Sequence, residues 1–285
     1  MGRMKLAVLT ALAAVMLGGC SPLDESDLSR LALPVAGSDR SIHMWYLWLG
    51  TWIAVLVVFL LVFGMILYAP IRYRRKNVDD PAPVQVRYNL PLEALYTIAP
   101  VIIVAVFFFH TVESQNAQLE EVENPDHTIE VVGSKWQWTF NYLEGAPGGE
   151  PVYDQGDTAN LPELWLPVNE SVKFELISPD VIHSFWVPEF YFKMDVVPGN
   201  IPGKDGNNSF TMTPNREGTF TGRCAELCGV YHTRMLFKVK VVSADEYEAH
   251  LAELESAGQI GTPQGSTTAD TVAGLEASGE SDTED

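Results

Sequence analysis

Two thiols, an imidazole and a thioether fall within the twelve residues Cys224-Ala225-Glu226-Leu227-Cys228-Gly229-Val230-Tyr231-His232-Thr233-Arg234-Met235. Soft sulfur combined with imidazole selects copper, and Cys, His and Met together are the donor set of copper electron-transfer sites. A mononuclear site of that kind needs one cysteine. This loop has two, spaced so that both thiolates can turn into one small cavity, bridge two ions and share one electron's worth of oxidation between them. The second metal needs a second imidazole. His183 offers it in Ser178-Pro179-Asp180-Val181-Ile182-His183-Ser184-Phe185, after a strand-like run over 171–178 and a Pro-Asp turn. The binuclear reading is Cys224 and Cys228 as bridges and His183 and His232 as one terminal ligand each. Met235 and the backbone carbonyl of Glu226 are then weak axial ligands. A Cys-x3-Cys pair in an exported domain could instead close a disulfide, which leaves His183, His232 and Met235 without a role.

The elements that must carry this loop begin with an export signal. Arg3 and Lys5 precede a short apolar run, Leu6 to Leu17, too brief to span a bilayer, and Gly18-Gly19-Cys20 follows. Leu-Gly-Gly-Cys resembles a lipoprotein processing box, with Cys20 as the lipidated N-terminus. An ordinary signal peptide or an uncleaved anchor is the alternative. Trp45 to Tyr68 holds no charged residue and is long enough to cross a membrane, with aromatic residues crowding both ends. The basic cluster Arg72-Tyr73-Arg74-Arg75-Lys76 predicts that the turn after it is cytoplasmic. Leu90 to Val112 is the second span, which leaves the N-terminus and the large C-terminal part outside.

From His127 the pattern changes to short β runs separated by Gly, Pro and Asn: 128–132, 136–142, 164–166, 172–177, 210–213, 219–223 and 236–242. Such punctuation predicts a Greek-key sandwich or barrel. Ser243-Ala244-Asp245-Glu246 is a capping box that opens a helix to about Glu255. The expected segments are a signal over 1–19, an exported stretch over 20–42, spans over 43–70 and 90–112 joined by a loop over 71–89, a polar connector over 113–126, the β domain with its helix over 127–256, and a disordered acidic tail over 257–285. The chain carries a formal charge of −19, and the part from Glu113 onward holds 30 acidic against 9 basic residues. That excess disfavours nucleic acid and suits a basic soluble partner, attracted at long range. His43, His110, His127 and His250 lack sulfur neighbours and read as ordinary histidines.

The copper loop, the upstream histidine and the two spans resemble subunit II of a haem-copper cytochrome c oxidase with a dinuclear copper (CuA) centre, over roughly residues 40 to 245. The resemblance implies a two-helix transmembrane hairpin followed by an all-β cupredoxin-like domain. It implies a plasma-membrane protein that takes electrons from a cytochrome c and passes them to haem, held only in subunit I, where oxygen is reduced with proton pumping. Subunits I and III and membrane lipid are its implied partners. It further implies that Glu226 helps hold Mg2+ or Mn2+ at the contact with subunit I, where a carboxylate is the right hard donor. Trp136, in Lys135-Trp136-Gln137-Trp138, becomes the residue that receives the electron, although Gln137 stands where the family has an aromatic. Glu93, in Glu93-Ala94-Leu95-Tyr96-Thr97-Ile98-Ala99-Pro100, becomes the opening of a proton-uptake path; a snorkelling interfacial acid is the plainer reading. Asp180 would serve donor docking or the copper's outer shell, and Lys193 and Asp195 would face subunit I. The lipoprotein-type start and Asn89-Leu90-Pro91-Leu92-Glu93 resemble the actinobacterial branch, whose donor is often a membrane-held dihaem cytochrome of a bc complex in a supercomplex. A copper-less quinol oxidase subunit II should lack these cysteines and this methionine. A membrane-tethered copper carrier is the other competitor, and Glu93 with the two-span anchor speaks against it.

Overall fold

The computed structural model describes residues 29–77, 79, 81, 83–146, 149–199 and 208–265. The export signal and Cys20 lie outside the described residues, as do 266–285. Two long apolar helices come first: α1 at Ser41–Arg72 and α2 at Leu90–Gln118. At about 1.5 Å per residue each exceeds the roughly 30 Å of a hydrocarbon core. Both are apolar enough to cross it. The side chain of Asn89 caps α2 by accepting the Leu92 N–H (3.3 Å), and Pro91 sits in the first turn.

α2 runs on six residues past the expected end of the span at 112, so the polar connector begins as helix. Glu and Gln are good helix formers once the chain has left the membrane. Arg40 ties this extension down, donating to the Ala117 carbonyl (2.7 Å) and to Glu120 (2.9 Å), while Gln118 donates to the Arg40 carbonyl (3.0 Å).

Seven β runs were expected, and ten strands form among the described residues: β1 at His127–Ser134, β2 at Gln137–Tyr142, β3 at Val152–Gln155, β4 at Glu163–Pro167, β5 at Val172–Ile177, β6 at His183–Val187, β7 at Phe192–Val196, β8 at Ser209–Met212, β9 at Gly218–Cys224 and β10 at Leu236–Val242. The additional ones, β3, β6 and β7, have four or five residues each, as short as the expected β4 and β8. Two five-stranded sheets result, in the orders β3-β2-β1-β5-β8 and β4-β10-β9-β6-β7. β1–β5 and β4–β10 pair in parallel, and the other neighbours pair antiparallel. The sheets face each other across an aromatic core in which Phe185 stacks on Phe237 (5.1 Å) and Trp138 meets Phe237 edge-on (5.4 Å). Burying each such side chain stabilises by about 1.5–3 kcal/mol.

α3, at Ala244–Ser256, carries both bonds of the expected capping box. It turns Tyr247, His250, Leu251 and Leu254 inward, so His250 lies on the helix's buried face. The tail boundary also moves. Residues 257–265, expected to be disordered, are hydrogen-bonded to the β domain, with Ile260 bridging to Val152. The edge of β3 offers unpaired backbone groups, and a short extended segment satisfies them despite its lack of an apolar pattern.

Candidate metal centre

β6 and β9 lie side by side, with Phe185 opposite Cys224 and Trp186 opposite Arg223. Phe185 points into the core. Residues two apart on a strand share a face, so His183 points the same way. It stands at the start of β6. β9 ends at Cys224, whose N–H donates to the Met235 carbonyl (3.0 Å) and so draws both ends of the sulfur loop together. The Ala225 N–H donates to the Ser184 carbonyl (3.0 Å), which pins the loop to β6.

This closure gathers the donor atoms. The sulfurs of Cys224 and Cys228 lie 3.8 Å apart, far beyond the roughly 2.05 Å of a disulfide, and both cysteines are free. His183 Nδ1 lies 3.9 Å from the first sulfur and His232 Nδ1 3.6 Å from the second. Met235 Sδ is 3.8 Å from Cys228, and the Glu226 carbonyl accepts the Cys224 thiol at 3.2 Å. The ligand atoms of His183, Cys224 and Cys228 all lie within 4.8 Å of one another, and all three residues are buried. A metal reaches about 2.3 Å to a thiolate, so ions between these sulfurs can touch both. Soft donors in a buried pocket fit copper.

Asp180 orients the site. Its Oδ1 accepts the Nε2–H of the fully buried His183 (2.9 Å), and its Oδ2 accepts the Lys135 N–H (2.7 Å). With Nε2 donating, Nδ1 presents its lone pair to the sulfurs, the arrangement expected around a ligating imidazole. Burial works against charge on His183, but the bonds to Asp180 and Cys224 outweigh it and hold its pKa above the usual value. Burial likewise opposes charge on Asp180, and hydrogen bonds from His183, Lys135 and Val181 overcome it. The Cys228 thiol, donating to Cys224, holds the Cys224 pKa well below the thiol range. The proximity of Cys224 in turn pushes Cys228 up. The pair thus gives up one proton readily and retains the other.

Two glycines set the walls. A methyl on Gly133 would lie 3.0 Å from the Trp138 ring and 3.3 Å from His183 Cβ, so β1 passes directly under His183. Gly229, at φ +122°, adopts a backbone that side chains disfavour, and a methyl there would meet the Trp136 indole at 3.0 Å. Trp136 is half-buried beside the loop, edge-on to Tyr231 at 5.1 Å. Trp138 is wholly buried and its Nε1 donates to the Met235 carbonyl (3.4 Å). The sequence reading missed Gly133 and Trp138 as parts of the site. A glycine inside a strand, marking a close backbone approach, was the available signal.

The other expected site residues lie apart. The Glu226 side chain is exposed, away from the sulfurs, and Lys193 and Asp195 are exposed on the edge strand β7. Glu93 sits in the first turn of α2, where its carboxylate accepts the Asn89 N–H (3.0 Å) and completes a reciprocal cap.

A two-sheet β domain of this topology with a buried His-Cys-Cys cluster, attached to two membrane-length helices, defines an anchored cupredoxin-like metal domain. Residues 157–242 match the family model described as the periplasmic domain of cytochrome c oxidase subunit II. The chain is 42% identical to the probable cytochrome c oxidase subunit 2 of Streptomyces avermitilis, covering 92% of this chain and 90% of that one. It is 30% identical to cytochrome c oxidase subunit 2 of Mycobacterium tuberculosis, covering 88% and 81%. The solved periplasmic domain of subunit II from Bradyrhizobium japonicum is 27% identical, covering 48% of this chain and 99% of that one, with a TM-score of 0.41. The chain belongs to the cytochrome c oxidase subunit II family.

Proposed function

We propose that this subunit accepts electrons from a cytochrome c at a dinuclear copper centre and passes them to haem in subunit I, for oxygen reduction coupled to proton pumping. The observation that carries the reading is the pair of unlinked sulfurs at 3.8 Å, each with one imidazole nitrogen beside it. A bound copper pair would supply a one-electron store whose geometry changes little with its charge. Cys224, Cys228, His183 and His232 would hold it, with Met235 and the Glu226 carbonyl as further, weaker donors. Asp180 holds His183 in the ligating tautomer, as part of the centre's outer shell. The aromatic core behind the site keeps water out and the donor atoms fixed.

Around this centre, Trp136 covers the loop at Gly229 and receives the electron. The exposed Glu226 carboxylate shares Mg2+ or Mn2+ with subunit I, and Lys193 and Asp195 face that subunit. Glu93 opens the proton path as well as capping α2. Both helices span the plasma membrane, with the termini on the outer side and Cys20 lipidated. Subunit III and a dihaem cytochrome of a bc complex complete the assembly.

Copper quantification with low-temperature electron paramagnetic resonance tests the centre. Two coppers per chain and the hyperfine pattern of one electron shared equally between two copper nuclei are expected; a single copper, or a Cys224–Cys228 disulfide in the active protein, overturns the reading. Trp136→Gln is expected to slow reduction by the cytochrome with copper retained. Glu93→Ala is expected to slow turnover with the copper spectrum intact, and normal turnover would leave Glu93 with its capping role alone.

A further inference from the structure

The chain beyond α3 stays on the β domain. The Tyr153 N–H donates to the Gln259 carbonyl (3.0 Å) and the Gly261 N–H to that of Pro151 (2.7 Å). Residues 262–265 then cross the outer face of β2 and β1. Asn141 Nδ2 donates to the Pro263 carbonyl (3.2 Å), and Gln264 Nε2 donates to Glu130 (3.0 Å). Glu130 is a buried carboxylate that also accepts from Asn141 (3.1 Å). Its strand neighbours Ile129 and Val131 face the core, so Glu130 faces out and the strap covers it. A buried carboxylate left without these donors would be costly, so the polar contacts fix the register of the strap.

The strap reaches Gly265, where a methyl would lie 2.9 Å from Ser134 Oγ and 3.2 Å from Pro179 Cγ. Those residues have a shared property. Ser134 immediately precedes Lys135 and Pro179 immediately precedes Asp180, and the Lys135 N–H donates to Asp180 at 2.7 Å. Gly265 thus lies close against the residue before each partner of the bond that steadies Asp180, and Asp180 in turn holds His183. We infer that residues 262–265 act as a clamp: they press the end of β1 and the 178–182 turn together and so position His183 in the metal centre. Gln264 and Gly265 are positioning residues, remote from the metal and acting through Asp180. The inference rests on the reading of His183 as a copper ligand.

Four forms of the protein test it: the full chain, a chain ending at Gly265, a chain ending at Gly261, and the full chain with Gln264→Ala. Amide hydrogen exchange over 178–184 is read in the metal-free protein, and the copper–thiolate absorption and reduction potential in the copper-loaded protein. The chain ending at Gly265 should match the full chain in all three. The chain ending at Gly261 should exchange about tenfold faster than the full chain over 178–184 with β4 and β10 unchanged, and its potential should shift. Gln264→Ala should move the same readouts in the same direction and guards against poor folding of the truncated chain. Unchanged local exchange and potential in both variants overturn the clamp. So does faster exchange spread evenly through the domain with an unchanged potential, which marks a general loss of stability. A full chain that takes up no copper overturns the proposed function, while the exchange over 178–184 still decides the clamp.

Discussion

Two buried histidines, at His183 and His250, show how polar partners change what burial does to an imidazole. Both rings are shielded from water by the same domain. His183 has a carboxylate on Nε2 and a thiol beside Nδ1, with Trp138 edge-on to its ring. His250 lies flat on Trp165 at 4.2 Å; neither of its nitrogens makes a hydrogen bond, and the nearest carboxylate, Glu253, is 3.9 Å from Nδ1. Burial lowers the pKa of His250, whereas at His183 the polar partners overturn the same burial. Burial alone makes an imidazole neutral. Orientation by a second group is what aims its lone pair, and of these two histidines His183 alone has it.

The largest expected effect removes that end altogether. Cys228→Ser should abolish the shared-electron copper spectrum while the β domain remains folded by circular dichroism; a retained spectrum would deny the bridging role. Next comes the orienting carboxylate. Asp180→Ala should weaken copper binding by about 10–100-fold in a chelator competition, the usual cost of losing such a partner, and an unchanged affinity would make the two histidines equivalent. A smaller effect is expected beneath His183. Gly133→Ala forces a methyl against Trp138 and His183 Cβ and should cost about 1–3 kcal/mol in urea unfolding, as overpacking does, together with a shifted copper absorption. Adding Trp138→Phe should recover part of both, and failure to recover either would place the strain elsewhere.

The smallest effect belongs to His250. Its pKa is depressed in the folded state, so its contribution to stability is fully present above its unfolded value near pH 6.5 and is lost as pH falls from there toward the folded value. Urea midpoints compared on the two sides of that pH, in metal-free protein, give the measurement. Equal midpoints would deny the loss.

The helices, the capping box and the longer strands were legible because each depends on neighbours in sequence. Twenty or more apolar residues, a Ser-x-x-Glu before an apolar run, and alternation over five or more positions state their own structure. β3 and β6 carry no such alternation, and their partners create them, whereas β7 alternates over Phe192–Val196 and its signal was there to be read. The strap after α3 escaped for the same reason. Its composition is polar and small, and only Glu130, Asn141 and the open edge of β3 give it a place.

The chemistry of the centre was a property of the sequence alone, because donor softness belongs to residue type: two thiols, two imidazoles and a thioether specify the kind of metal before any fold is known. How far apart the sulfurs stand and which nitrogen of His183 faces them were decided by tertiary structure. His183 and Cys224 are separated by 41 positions along the chain. They meet because β6 pairs with β9 in one register, and because Asp180, held by the backbone of Lys135, turns the ring. Distance and orientation between remote residues are set by strand pairing and packing, which local sequence does not encode.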